Sequence, residues 1–195
     1  SKMGVEENNI DQIIRTFHNK RQCILQDIDQ QLDVIFQTLQ NNKLLENSYI
    51  IFTSTGGEGQ SRHFPGLSQH TPYEESIRIP MVIAGPDIEK QTNHSLVSLN
   101  DILPTAIDLT DANFNRSKFD GVSLVSLFNK RNGIYHDRNI LIEYAGINDL
   151  KLPPYKVLRM KKSKYIEYEN GEFEYYNLNI DPDEYNNLYT TIKTS

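Results

Sequence analysis

The run Tyr49-Ile50-Ile51-Phe52-Thr53-Ser54, followed at once by Thr55-Gly56-Gly57-Glu58-Gly59, is the stretch on which the fold turns. Its first six residues are almost all β-branched or aromatic, and glycines bound them. A short, nearly continuous apolar run of this kind reads as a strand covered on both faces, as in a parallel sheet. The glycines end the strand and open a loop at its carboxyl end, which is where open α/β sheets hold their ligands. A glycine cluster by itself is a weak signal, so a ligand-holding loop and a plain surface loop both remain open from composition.

Upstream of this strand the pattern is helical. Apolar residues fall at Ile10, Ile13, Ile14 and Phe17, then at Ile24, Ile28, Leu32, Ile35, Phe36 and Leu39. These intervals predict an amphipathic helix from residue 10 to about residue 40. It is either continuous or broken at the polar stretch 18–22. Asn41-Asn42 is expected to close it, since Asn tolerates the left-handed cap conformation.

Downstream, residues 79–84 predict a second strand closed by Gly85-Pro86. Asn100-Asp101 predicts a cap on a helix reaching about Thr110, with Pro104 in its first turn, where proline is tolerated. Residues 123–128 read as a short helix and 139–144 as a third strand. The tail then changes character, with short strands at 156–160, 164–168 and 172–178. The turns between them are Lys161-Lys162-Ser163 and Glu169-Asn170-Gly171, and Asn-Gly is a strong hairpin signal. Residues 1–150 therefore read as an α/β domain portion and residues 151–195 as an antiparallel subdomain.

Composition narrows the function. The 195 residues carry 20 Lys and Arg against 26 Asp and Glu, a net charge of -6, which argues against a nucleic-acid binder or an anionic-membrane binder. No apolar run approaches the roughly 18 residues of a membrane span. The opening SKMGVEENN lacks the apolar core of a signal peptide. With 11 Tyr and 8 Phe the chain is too aromatic to be disordered. The single cysteine, Cys23, excludes an internal disulfide and a Cys-rich zinc site, and it reads as a small packed helix side chain.

His63 and His70 lie seven residues apart, not at the i, i+4 spacing of a helical metal motif, and read as ordinary loop histidines or as a metal pair. The string KKSKYIEYENGEFEYY mixes acids with its lysines and tyrosines, which suits cross-strand pairs better than an RNA face. Asn93-His94-Ser95 and Asn115-Arg116-Ser117 are glycosylation sequons, relevant only on a secretory route.

Several long strings resemble one family. ILQDIDQQLDVIFQTLQNNKLLENSYIIFTS (residues 24–54), HTPYEESIRIPMVIAGP (70–86), VSLNDILPTAIDLT with the later FDGVSLVSLF, and the tail VLRMKKSKYIEYENGEFEYYNLNIDPDEYNNL are similar to the sulfatase family. The resemblance runs over about residues 20–189, in the family's order. It is closest in flavour to glycosaminoglycan and N-acetylglucosamine-6-sulfate sulfatases.

It implies an alkaline-phosphatase-like α/β fold: the C-terminal part of the main mixed sheet, followed by a small four-stranded antiparallel sheet. It also implies sulfate-ester hydrolysis by a formylglycine made from the cysteine of a C-x-P-x-R motif. The resemblance further implies a calcium ion held by acidic residues of the N-terminal part together with an Asp and an Asn or His at the end of the strand matching residues 49–54. A lysine just before the HTPYEE-type string helps bind the sulfate.

This sequence departs from that pattern. Cys23 reads C-I-L-Q-D, which is not the modification motif. The segment expected to carry the nucleophile and the first metal ligands lies outside the resemblance. Thr55 and Gly56, or Ser54 and Thr55 with a one-residue gap, stand where the Asp-Asn or Asp-His pair would be, and neither alignment supplies a carboxylate. Gln69 stands at the lysine position, while His70, Pro72, Tyr73 and Glu74 are kept.

Two readings follow. In the first, the chain is sulfatase-like but has no hydrolase activity of its own; it plays a structural or binding role, holding an anionic sugar or another protein, and has no cofactor of its own. In the second, it is the C-terminal portion of an active calcium- and formylglycine-dependent sulfatase of sugar sulfate esters, with the nucleophile upstream and with Gln69 and His70, the substrate-binding candidates, lining the sulfate pocket. A weaker third reading makes the Tyr-rich meander a contact module. The expected partners are the upstream half of the domain or a partner chain, and a sulfated sugar. A secretory or lysosomal location is suggested by the resemblance alone.

Overall fold

A computed structural model describes residues 3–58, 63, 69–110, 112, 115, 118–128, 138–147 and 152–193. The chain divides into two compact units, residues 1–48 and 49–195.

The first unit is built on one helix, α1 (Met3–Asn41). It is continuous through the polar stretch 18–22, because those residues are adequate helix formers and no Gly or Pro interrupts them. It closes one step later than the sequence suggests. Lys43, not an Asn, takes the left-handed position at φ 57. Leu44 N–H then donates to the Leu39 carbonyl at 2.8 Å and Lys43 N–H to that of Gln40 at 3.0 Å, the paired bonds of a Schellman ending. Asn42 still contributes, its side-chain amide donating to the Thr38 carbonyl at 2.8 Å. A 3-10 turn, Leu45–Asn47, follows.

The second unit holds two sheets. β1 (Ile50–Thr53) and β2 (Met81–Ala84) form a two-stranded antiparallel ribbon with Phe52 opposite Val82. Here the expectation of a doubly covered parallel strand differs from what is found. Among the described residues β1 pairs only with β2, and Phe52 and Val82 are exposed. The chain leaves β1 and comes back beside it, so the partner runs the opposite way. β2 starts at Met81 because Pro80 has no N–H to give the ladder; its carbonyl instead accepts from the Thr53 hydroxyl at 2.8 Å.

Between the two strands lies a four-residue helix, α2 (Glu74–Ile77). After them a 3-10 turn, Leu99–Asp101, leads into α3 (Ile102–Leu109), and a second 3-10 turn covers Val125–Leu127.

The remaining strands form a four-stranded antiparallel meander: β3 (Ile140–Tyr144), β4 (Tyr155–Arg159), β5 (Ser163–Tyr168) and β6 (Phe173–Asn177). Residue 140, not 151, is thus where this sheet begins. Gly171 sits at φ +85 in the β5–β6 turn, a conformation open to Gly at no steric cost, and Tyr168 N–H reaches the Glu172 carbonyl across it at 2.9 Å. Residues of period two turn inward: Tyr155 and Val157 on β4, and Lys164, Ile166 and Tyr168 on β5. With Tyr73, Leu152 and Tyr176 the apolar ones among them make the core. A short helix, α4 (Tyr189–Lys193), ends the described chain.

Candidate functional site

A cleft of about 1190 Å³ lies within the second unit. It is lined by the end of β1 (Ser54 to Gly57), by Gln69 and His70, and by Tyr144, Tyr155 and Arg159 of the four-stranded sheet. Each wall follows from local structure. Gly57 is held against α2 by its N–H, which donates to the Ser76 carbonyl at 2.8 Å; a Cβ at Gly57 would collide with the Glu75 backbone, so Gly is required there. The Ser54 hydroxyl donates to the Gly56 carbonyl at 2.7 Å, curling the strand end into a tight turn. Thr55 and Gly56 are exposed on that turn. The strand end therefore presents hydroxyls and carbonyls but no carboxylate before Glu58.

The segment from His70 to Ser76 is tied to the sheet at almost every residue. The Tyr155 hydroxyl donates to the His70 carbonyl at 2.8 Å. The hydroxyls of Thr71 and Ser76, both buried, bond at 2.7 Å. Lys164 Nζ donates to the Pro72 carbonyl at 3.1 Å. Tyr73, Tyr168 and Tyr176 all donate to Glu174, at 3.1, 3.4 and 3.0 Å. Burial pushes all three phenols well above their usual range, and the Glu174 charge adds to it.

Glu74 anchors a buried charge cluster. Arg159 holds its two carboxylate oxygens at 2.9 and 3.2 Å, and Lys164 Nζ lies 2.9 Å from the first. Lys164 also pairs with Glu184 at 2.6 Å, while the other Glu184 oxygen accepts from the Glu74 N–H at 2.6 Å. Lys164 and Glu184 are completely or almost completely buried. Burial pushes the Glu74 carboxyl up, but Arg159 and Lys164 more than offset this and leave it below the usual carboxylate range. For Glu184 burial outweighs Lys164, and its carboxyl lies above that range.

Four of the sequence-expected site residues line one cleft. Gln69 and His70 stand together on the cleft wall, exposed, with Thr55 and Gly56 lining the same cleft. His63 does not join them as a metal pair. Its ring stacks on Tyr73 at 3.7 Å and its Nε2 meets the Asp183 carbonyl at 3.1 Å. Among the described residues no group of three His, Cys, Asp or Glu is placed to hold a metal ion. Cys23 is exposed on α1.

Sequence reasoning missed the Glu74–Arg159–Lys164–Glu184 cluster. One signal was there to find: Lys164 shares the period-two face of Ile166 and Tyr168, and a lysine on a buried face demands a carboxylate.

Residues 3–112 match the family model "Sulfatase", and residues 67–195 match "N-sulphoglucosamine sulphohydrolase, C-terminal". The chain belongs to the sulfatase family. Its relatives include human N-acetylglucosamine-6-sulfatase, 25% identical over 98% of this chain and 40% of the relative. Chicken arylsulfatase K is 34% identical over 82% of this chain and 31% of its own length. A solved putative sulfatase from Bacteroides thetaiotaomicron superposes with a TM-score of 0.76 at 24% identity, covering 86% of this chain and 38% of that one. The chain thus spans about three to four tenths of the length of these relatives, and it is a portion of a sulfatase domain with the alkaline-phosphatase-like α/β fold. No helix among the described residues is long and apolar enough to cross a membrane.

Proposed function

We infer that this portion of a sulfatase domain holds an anionic group in the cleft beside Gln69 and His70 and does not itself cleave sulfate esters. The observation that carries the reading is the end of β1, where Thr55 and Gly56, neutral and exposed, stand at the positions the resemblance assigns to an Asp and an Asn or His that hold the metal. Calcium takes six to eight oxygens, and carboxylate charge supplies much of its affinity. One or two hydroxyls and a carbonyl already engaged by Ser54 do not fit that ion.

Gln69 likewise puts an amide where a fixed ammonium would face the sulfate, and preorganised charge of that kind is usually the largest catalytic contribution. What remains suits binding: His70, Arg78 and Lys161 line the cleft as donors. The names of relatives such as N-acetylglucosamine-6-sulfatase support a sulfated sugar as the ligand class.

The test is hydrolysis of an aryl sulfate by the purified chain with calcium present, together with mass analysis of the peptide carrying Cys23. No turnover and an unmodified Cys23 are expected, and turnover by this chain alone overturns the reading.

A second reading is favoured by coverage, since only about 40% of the human relative is matched. In it the chain completes an active sulfatase whose nucleophile lies upstream. Co-expression with the upstream coding region decides between the two. Activity that appears only with a C-x-P-x-R segment supports the second reading, and continued inactivity with that segment present rejects it.

A further inference from the structure

We propose that Tyr155 and Tyr144 are positioning residues that fix the ring of His70 at the wall of the cleft. The bearing of this on ligand binding rests on the anion-holding reading above; the geometry itself does not.

His70 has φ 65, a left-handed backbone that a residue with a Cβ adopts at some cost. Such a conformation persists only when its surroundings impose it, and here they do. The Tyr155 hydroxyl takes the His70 carbonyl at 2.8 Å. Two residues on, the Pro72 carbonyl is held by the buried Lys164. Between them Thr71 is locked to Ser76 and, as the residue before a proline, is confined to extended backbone. The turn that places His70 is therefore written by β4 and β5, not by its own loop.

The ring is placed by a second device. His70 stacks on Tyr144 with centroids 6.0 Å apart and planes 23° apart, and Tyr144 stacks on Tyr155 at 5.0 Å and 27°. Tyr155 meets Tyr168 edge-on at 6.0 Å inside the core. A file of rings thus runs from the buried centre of the sheet to an exposed imidazole, in offset arrangements that aromatic pairs favour. Tyr155 serves twice, gripping the His70 backbone with its hydroxyl and supporting the His70 side chain through Tyr144. A tyrosine present only to fill the core needs neither contact, since Phe fills the same volume.

The experiment is the rate of carbethoxylation of individual histidines by diethylpyrocarbonate, read by peptide mass spectrometry on the full 195-residue chain. Tyr155→Phe keeps the ring and the core and removes only the grip. Tyr144→Leu removes the stacking partner, and Tyr144→Phe restores it. The proposal expects the His70 rate to rise several-fold in Tyr155→Phe and Tyr144→Leu and to stay at the wild-type value in Tyr144→Phe. The His63 rate should hold in Tyr155→Phe, and the melting midpoint should fall by no more than the few degrees that one lost hydrogen bond accounts for.

An unchanged His70 rate in Tyr155→Phe, or an equal rise at His63, overturns the proposal, because the tyrosine would then be core filler. Inorganic sulfate added to the wild type separates the two ideas. Protection of His70 supports the anion-holding cleft, and absence of protection removes that reading while leaving the positioning roles to stand or fall on the variant rates.

Discussion

Lys164 is a fully buried lysine that pairs with both Glu74 and Glu184 and donates to the Pro72 carbonyl. The two carboxylates answer to it differently. Glu74 shares Arg159 as well and ionises more readily than a free carboxyl, while burial keeps the Glu184 proton on longer. The consequences for stability have opposite signs. A depressed carboxyl contributes stability that is present above the unfolded value of about 4.3 and lost as pH falls below it. A raised one binds its proton more tightly in the folded state, so stability falls as pH rises from that same value through the raised one. Glu184→Gln cannot titrate. Its melting midpoint is expected to keep the acid-side loss owed to Glu74 and to lose the decline on the neutral side. Melting curves from pH 3 to pH 8 check this, and a decline on the neutral side equal to that of the wild type would assign it to other groups.

At the level of elements, the junction before α3 shows what a sequence discloses and what it hides. The helix start around residues 100–101 was legible, because capping chemistry is local. Its working parts were less so. Ser98 is the cap, accepting from Asn100 N–H at 3.3 Å, and the Asp101 carboxylate returns the bond by accepting from Ser98 N–H at 2.7 Å. The same buried carboxylate also takes Val122 N–H at 2.9 Å and pairs with Arg138 at 2.8 Å, 21 and 37 residues away. No local pattern announces those partners. The same division holds elsewhere. Short strands separated by polar turns, with Asn170-Gly171 among them, disclosed the meander, whereas the antiparallel return of β2 onto β1 and the tie from Tyr155 to His70 are tertiary choices with no signature in either strand. Asp101→Ala strands two backbone donors and a guanidinium, and is expected to cost about 3–5 kcal/mol, against about 1 kcal/mol for removing an ordinary cap with Ser98→Ala. Urea unfolding of the two variants, with the slope of the transition unchanged, checks the difference.

The molecule as a whole carries more uncovered apolar surface than its core explains. On the β1–β2 ribbon the cross-strand pair Phe52 and Val82 stands exposed, at 39% and 58%. On the outer face of the four-stranded sheet the pair Leu141 and Leu158 is exposed as well. Along α1, taken by itself, Ile24, Leu25, Ile28, Val34, Ile35 and Phe36 face solvent. A two-stranded ribbon is marginal alone, and an uncovered apolar strand pair invites another chain. Coverage of about three to four tenths of its relatives leaves room for the remainder of a sulfatase domain to supply that cover. The isolated 195-residue chain is therefore expected to self-associate in sedimentation velocity. Val82→Lys should raise the monomer fraction without lowering the melting midpoint, because Val82 points into solvent and a charge there costs the fold little. A wild-type chain that sediments as one monomeric species across the concentration range would mean that these surfaces need no cover.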